Sequence, residues 1–239
     1  MNIAICFTGQ CRSLEHTYES ISEKILQPLK KYANKVDVFA YIAENKNSYK
    51  FKDFFKEYAS LKIEPDRPID TSFIVKHDQR GMQGYMQMLN GYHEVNKMRE
   101  EFEAKNNIVY DTVIRARLDV EFVDEIPDIR NLDLEKMYVP DFHSWAHVTA
   151  IGGCNDRFAI ASPENIKHYY NQKLFLSEFL QAGHSLHAES FLYYNLLRNK
   201  VQIEKIDFKF ARIREGKAYD ESDLVVCNKP RSEWEWWQS

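Results

Sequence analysis

Glycine and proline are scarce in this chain, with eight and seven among 239 residues. Collagen-like and low-complexity architectures are thereby excluded. Cysteine is sparse as well. Cys6, Cys11, Cys154 and Cys227 show no pair spacing of the metal-binding kind, and so few in this length fit reduced thiols in a cytosolic protein. No stretch of about 18 apolar residues occurs, so no membrane-spanning helix is expected. The opening MNIAICFTGQ lacks the basic and long apolar regions of a signal peptide, which leads us to expect a cytoplasmic location. A strong basic field is missing too, since the net charge is −4. Nucleic acid is therefore not an expected partner. Internal repeats are absent.

What is present suffices for one large α/β domain. Hydrophobic residues make up 44% and charged residues 28%, which supports a core of ordinary size. Aromatics reach 14%. Core packing accounts for most of them, and sugar-stacking surfaces are a second use.

The first part of the chain alternates β and α, as a parallel sheet requires. Asn2 to Thr8 reads as a buried strand that stops at Gly9. Thr8-Gly9-Gln10-Cys11-Arg12 is a tight loop before a helix carrying Leu14, Tyr18, Ile21, Ile25 and Leu29 at 3.6-residue spacing. Ser13 is its candidate N-cap, and Pro28 ends or bends it. A strand, a glycine turn and a helix start present backbone N–H groups to an anion; an ordinary βα turn is the alternative. Val36 to Ile42 is a second buried strand, and Phe51 to Tyr58 a short helix. Pro65 and Pro68 make 61–72 irregular, Phe73 to Lys76 a third short strand, and 78–84 a loop. Tyr85 to Lys105 is the longest helix, interrupted by Gly91, with Met82, Met86 and Met88 near its start as core filler rather than ligands. Further on, Met137 to Pro140 and the segment to Ala161 read as strands. Pro163 to Ala182 and Ser185 to Asn199 read as helices, and Val201 to Ile206 and Lys209 to Ile213 as strands. The fold class expected is α/β, with a single mostly parallel central sheet flanked by helices and a mixed C-terminal part.

The most informative stretch is Tyr110 to Phe122, YDTVIRARLDVEF. On one strand, Arg115, Arg117, Asp119 and Glu121 share a face while Ile114, Ala116, Leu118, Val120 and Phe122 share the other. Two guanidiniums beside two carboxylates suit a diphosphate with a divalent cation, because arginine matches phosphate bidentately and carboxylates hold hard cations. The alternative is a solvated strand face whose charges pair along it.

AICFTGQCRSLEHTYESI, VDVFAYI, YDTVIRARLDVEF, IGGCNDRFAIASPENIKHYY and HAESFLYYNLL, in this order, resemble bacterial and viral surface-polysaccharide glycosyltransferases of the A-type, Rossmann-like fold. The resemblance runs from residue 3 to about 215. It implies a nucleotide-binding half over 1–122 and an acceptor-binding half over 123–239, with a nucleotide-sugar donor at the carboxyl ends of the parallel strands. By the same resemblance, Gly9, Gln10 and Arg12 contact the nucleotide or its diphosphate, and Arg115 and Arg117 neutralise phosphate charge. Asp119 holds Mn²⁺ or Mg²⁺, and Asn155, Asp156 and Arg157 line the sugar pocket. Glu121 stands where the generic metal motif has Asp, and its reach differs.

Glycosyl transfer to a glycan or lipid-linked acceptor develops charge on the leaving β-phosphate and needs a base for the acceptor hydroxyl. Glu189 is the first candidate for the base and Asp156 the second; a helix-terminus charge and a turn residue are the respective alternatives. His187 is a candidate further metal ligand, and His143 and His147 are candidate contacts to acceptor or metal. Trp234, Trp236 and Trp237 either pack onto the domain or a partner subunit, or contact the inner face of a membrane beside a lipid-linked acceptor. Two other readings stand open: a sugar-phosphate nucleotidyltransferase, disfavoured by a first loop with one glycine and no lysine, and a non-catalytic nucleotide-sugar-binding module.

Overall fold

The computed structural model describes residues 1–65, 67–71, 81–214 and 219–228. The opening apolar run becomes strand β1 (Asn2–Gly9), and its alternation divides the core. Ile3, Ile5 and Phe7 enter one apolar cluster, whereas Ala4 and Cys6 enter a second on the opposite side of the sheet. With both faces covered, the strand carries no polar stripe.

The other strands are β2 (Lys35–Ala43), β3 (Ser60–Glu64), β4 (Thr112–Arg117), β5 (Val120–Phe122), β6 (Lys136–Pro140), β7 (Ala159–Ala161), β8 (Gln202–Ile206) and β9 (Phe210–Arg212). Seven form one sheet in the order β3-β2-β1-β4-β7-β6-β8, and β5 pairs with β9 in a small second sheet. β3, β2, β1 and β4 run parallel, as do β6 and β8, while β7 is antiparallel to both its neighbours. Helices α1 (Leu14–Ile21) and α2 (Gln27–Lys30) cover one face. A short α3 (Lys50–Phe54) follows β2, and the 25-residue α4 (Met82–Asn106) covers the other face with α5 (Pro163–Tyr170), α6 (Leu176–Gln181) and α7 (Ala188–Arg198). Helix α8 (Glu221–Asn228) follows β9. The expected class, a mostly parallel α/β sheet flanked by helices, is the observed one, and it is Rossmann-like.

Several elements differ from expectation for physical reasons. The charged stretch is not one strand. It bends at Leu118-Asp119, so that β4 stays in the main sheet and β5 joins the small one. Pro28 does not end its helix. A π-helical turn over Ser22–Leu26 precedes it, with Gln27 N donating to Ser22 O, which widens the ladder where proline offers no N–H. A strand, β3, forms before Pro65 within a stretch expected to be irregular. The helix expected over Pro163 to Ala182 breaks at Asn171, whose side-chain oxygen lies 2.8 Å from His93 Nδ1. Helix α7 starts at Ala188 instead of Ser185, with His187 extended before it. Met82 and Met86 are core residues, as read from the sequence. The strand expected at Phe73 to Lys76 and the three C-terminal tryptophans lie outside the described residues. Among the described residues, no helix is long and apolar enough to cross a membrane.

Candidate active site

The carboxyl ends of β1, β2, β3 and β4 open on a cavity of about 700 Å³. Open parallel sheets place ligands at this edge, because strand ends and the following loops meet there. Thr8, Gly9, Gln10 and Arg12 line it from the β1 loop, Tyr41 and Ala43 from β2, and Lys62 and Glu64 from β3. Arg115 and Arg117 come from β4, followed by Asp119 and Arg214. Helix α4 closes one side with Gln87, Met88, Gly91 and Glu94. Gly9 turns the chain out of β1 at φ +115°, a conformation that side chains rarely adopt.

The bend after β4 shapes the charged cluster. It lets Asp119 fold back on Arg117, whose Nε and Nη2 donate to the two carboxylate oxygens at 2.7 Å each. Arg12 Nη2 adds a third bond at 3.0 Å. Burial opposes the charge on Asp119, but the Arg117 and Arg12 guanidiniums outweigh it and hold the carboxyl well below its ordinary range. Arg12 retains a buried Nε with no partner. Arg115 is almost wholly buried. It donates to Arg157 O at 3.0 Å and Tyr92 Oη at 2.9 Å, and its Nε also lacks a partner. Three of the four charged residues thus line the cavity. The fourth, Glu121, lies on β5 and accepts a hydrogen bond from Tyr219.

A second cluster lies outside the residues that line the cavity, linked to it through the electrostatic effect of Asp156 on Arg117. Asp156 and Glu189 are both buried and lie within electrostatic reach of each other. Glu189 sits in the first turn of α7, and its backbone oxygen accepts from Cys154 N at 3.2 Å. Burial, and then the Asp156 carboxylate, push its carboxyl up to about 8. His187 Nε2 lies 3.4 Å from Glu189 Oε2, and burial lowers the His187 proton affinity. Tyr85, from α4, contributes a buried hydroxyl without a partner; burial raises its pKa, and the negative charge of Asp156 adds to the rise. The Asp156 backbone oxygen accepts from both Tyr92 and Tyr169, so the aromatic core under Arg115 fixes this turn.

Asn155 and Arg157 fall elsewhere. Asn155 donates to Phe142 O at 2.8 Å and accepts from Arg157 N at 2.8 Å, while Arg157 reaches Asp223 at 2.8 Å. Both bind the loop after β6 and α8 to the sheet, and neither lines the cavity. In that loop His143 stacks on Trp145 with centroids 5.4 Å apart, beside a hollow of about 260 Å³ that His147 and the α8 residues Ser222, Val225 and Val226 help to line.

The three residues expected to hold a metal do not converge. Asp119 faces two guanidiniums, Glu121 the Tyr219 hydroxyl, and His187 the Glu189 carboxylate. Among the described residues, no group of three His, Cys, Asp or Glu side chains is placed to hold one ion. The donor set present therefore does not fit a protein-built Mn²⁺ or Mg²⁺ site.

A family model described as a domain of unknown function, DUF7796, matches residues 1–221. The chain belongs to DUF7796. No curated protein matches it. Among solved structures, this DUF7796 chain is similar to two crystal structures of the glycosyltransferase GlyE from Streptococcus pneumoniae TIGR4. One gives 12% identity and a TM-score of 0.41. The other, an apo form, gives 12% identity and a TM-score of 0.44. The alignments cover 87% and 86% of this chain but 45% of each of those chains.

Sequence reasoning missed three residues of this region. Tyr85 and Tyr92 read only as members of a helical stripe, since periodicity reports a buried face and not the polar atom at a ring's tip. Asp223 gave no signal beyond lying in the acidic run DESD, and α8 was missed with it.

Proposed function

We propose that this protein is a glycosyltransferase that moves a sugar from a nucleoside-diphosphate sugar to a saccharide acceptor, free or lipid-linked. One observation carries the reading: an arginine-lined cavity opens at the carboxyl ends of the parallel strands, and Asp156, which acts electrostatically on Arg117 of that cavity, also raises the proton affinity of the buried Glu189 carboxyl. The order of motifs resembling surface-polysaccharide glycosyltransferases supports it.

The chemistry divides between the two clusters. Breaking the anomeric C–O bond places charge on the β-phosphate, and Arg12 and Arg117 stabilise that charge more in the transition state than before it. Glu189 accepts the proton of the attacking hydroxyl. A base that titrates near the working pH combines a usable ionised fraction with a strong pull on the proton. Asp156 raises the proton affinity of Glu189, and Arg115 holds the Asp156-Arg157 turn in place. The aromatic hollow at Phe142 to His147 is the acceptor side, where the half-exposed Trp145 ring offers a stacking face.

Release of nucleoside diphosphate from a panel of nucleotide sugars, followed chromatographically with and without simple saccharide acceptors, tests the proposal. We expect release from at least one donor, abolished in Glu189→Gln. Thermal stabilisation by nucleoside diphosphates without turnover of any donor would instead indicate a binding module.

A further inference from the structure

We infer that this site grips its diphosphate with arginine alone, and that Asp119 is an organiser of guanidiniums and not the ligand of a divalent cation. This rests on the nucleotide-sugar reading above and specifies how that site neutralises charge.

The Asp119 carboxylate is already filled. Arg117 takes both oxygens in a fork, and Arg12 shares the second. To ligate a metal, Asp119 would have to leave at least one of these partners. The freed guanidinium would then sit within a few ångströms of a divalent cation, where like charges repel strongly. Nothing nearby replaces it, because Glu121 and His187 are held in separate places.

The unsatisfied atom asks for an anion. Arg12 Nε is a buried N–H donor without an acceptor, on a guanidinium that lines the cavity and is itself only partly buried. A buried donor left without an acceptor is destabilising. Phosphate oxygens satisfy such donors, whereas a metal ion cannot. Arg67, Arg117 and Arg214 line the same cavity, so that its five arginines, with Lys62, outnumber its three carboxylates, Glu64, Glu94 and Asp119. Arg117 and Arg12 are kept side by side because one carboxylate bonds to both. That arrangement favours recognition of phosphate oxygens by paired N–H groups.

Isothermal titration of UDP, GDP, ADP and CDP, first with EDTA and then with Mn²⁺, tests this on the full chain. We expect at least one to bind in EDTA, with its affinity changed by Mn²⁺ less than about tenfold, or 1.4 kcal/mol. Arg12→Ala and Arg117→Ala should each weaken that binding about tenfold or more. Asp119→Asn should weaken it equally with and without Mn²⁺, since only the alignment of the arginines is lost. Should Asp119→Asn fail to fold, the wild-type protein still decides the matter: the electron paramagnetic resonance signal of free Mn²⁺ should not fall when protein and nucleotide are added together, beyond the loss that nucleotide alone causes. Binding that requires Mn²⁺, or a Mn²⁺ effect above about tenfold that Asp119→Asn erases, overturns the inference and leaves the nucleotide site standing. If no nucleoside diphosphate binds under either condition, the nucleotide-sugar reading itself fails, and this inference with it.

Discussion

Glu189 gives the residue scale its sharpest consequence. An ordinary glutamate titrates near 4.3, whereas burial and Asp156 push this one up to about 8. The fold thus favours the protonated carboxyl. Its contribution to stability is fully present below about pH 4.3, declines as the pH rises through the interval, and is lost above about pH 8. We expect the melting temperature to carry a downward component over this window, and Glu189→Gln to remove it. A variant whose melting profile runs parallel to the wild type would deny Glu189 its raised proton affinity. In the base role proposed for it, Glu189 should also make the rate climb with pH toward about 8.

Arg117 and Arg115 share a strand face but have different work. Arg117 is partly exposed at the cavity, and Arg115 is sealed among Tyr92, Tyr169 and the Arg157 carbonyl. Arg115→Lys cannot reproduce the two-pronged bond to Tyr92 and the Arg157 backbone. We expect it to lower the melting temperature, at a cost of about 1–3 kcal/mol. Arg117→Lys should leave the melting temperature close to that of the wild type and weaken nucleotide binding. Calorimetric melting of the two variants side by side checks this, and equal losses would contradict the division of roles.

At the scale of elements, glycines on two segments make opposite predictions. A methyl group at Gly91 would lie 3.6 Å from Tyr41 and 3.7 Å from Thr8, ordinary contact distances inside helix α4. Gly91→Ala should stabilise the protein by about 0.5–1 kcal/mol. Gly153 has no such room, because a Cβ there would meet the Ser144 carbonyl oxygen at 2.2 Å. Gly153→Ala must push the loop after β6 away from Glu189, and we expect a loss of about 1–3 kcal/mol. Denaturant unfolding measures both, and a destabilising Gly91→Ala would show that α4 already sits as close to the sheet as it can.

These elements also show what the sequence made legible. Apolar runs located β1, β2, β6 and β8, helical periodicity located α4, and the Ser162-Pro163-Glu164 start signals located the beginning of α5, because each signal is local. The charged stretch was read correctly as an apolar face backed by a charged one. Its bend at Leu118-Asp119 was invisible, since Val120 to Phe122 leave the main sheet only to pair with β9 some ninety residues later. Likewise the proximity of Asp156 and Glu189 is tertiary. No spacing in the sequence encodes it: the two were separate candidates there, and their proximity came into view only in the structure. Asn155 and Arg157 lie beside Asp156 in the chain, yet the turn sends their side chains to the Phe142 carbonyl and to Asp223.

At the scale of the whole molecule, one carboxylate joins parts that the sheet does not. Asp223, on α8, is fully buried. It accepts from Arg157 Nη1 at 2.8 Å, from Arg212 Nε at 2.8 Å and from Arg212 N at 2.9 Å, and His143 Nε2 lies 2.8 Å away. Burial opposes its charge, but the contacts with His143 and Arg212 and the charge of Arg157 outweigh it and hold the carboxyl far below its ordinary range. Four segments therefore meet at one point: α8, β9, the Asn155-Arg157 turn and the aromatic loop. Removing the carboxylate strands the buried Arg157 guanidinium, a change that typically costs about 3–5 kcal/mol, while the less buried Arg212 keeps Asp220 at 2.9 Å. Asp223→Asn keeps the shape and some acceptor capacity, so it should lose less than Asp223→Ala. Because the folded state favours the ionised form, the clamp's contribution is held above the ordinary aspartate range and lost as the pH falls. Hydrogen exchange offers the direct view. In Asp223→Asn we expect protection to fall in 141–147, 155–157 and 210–212 while β1, β2 and β4, buried between the two apolar clusters, keep theirs. Uniform loss across the sheet would mean that α8 supports the fold as a whole and is not a local strap over the aromatic hollow.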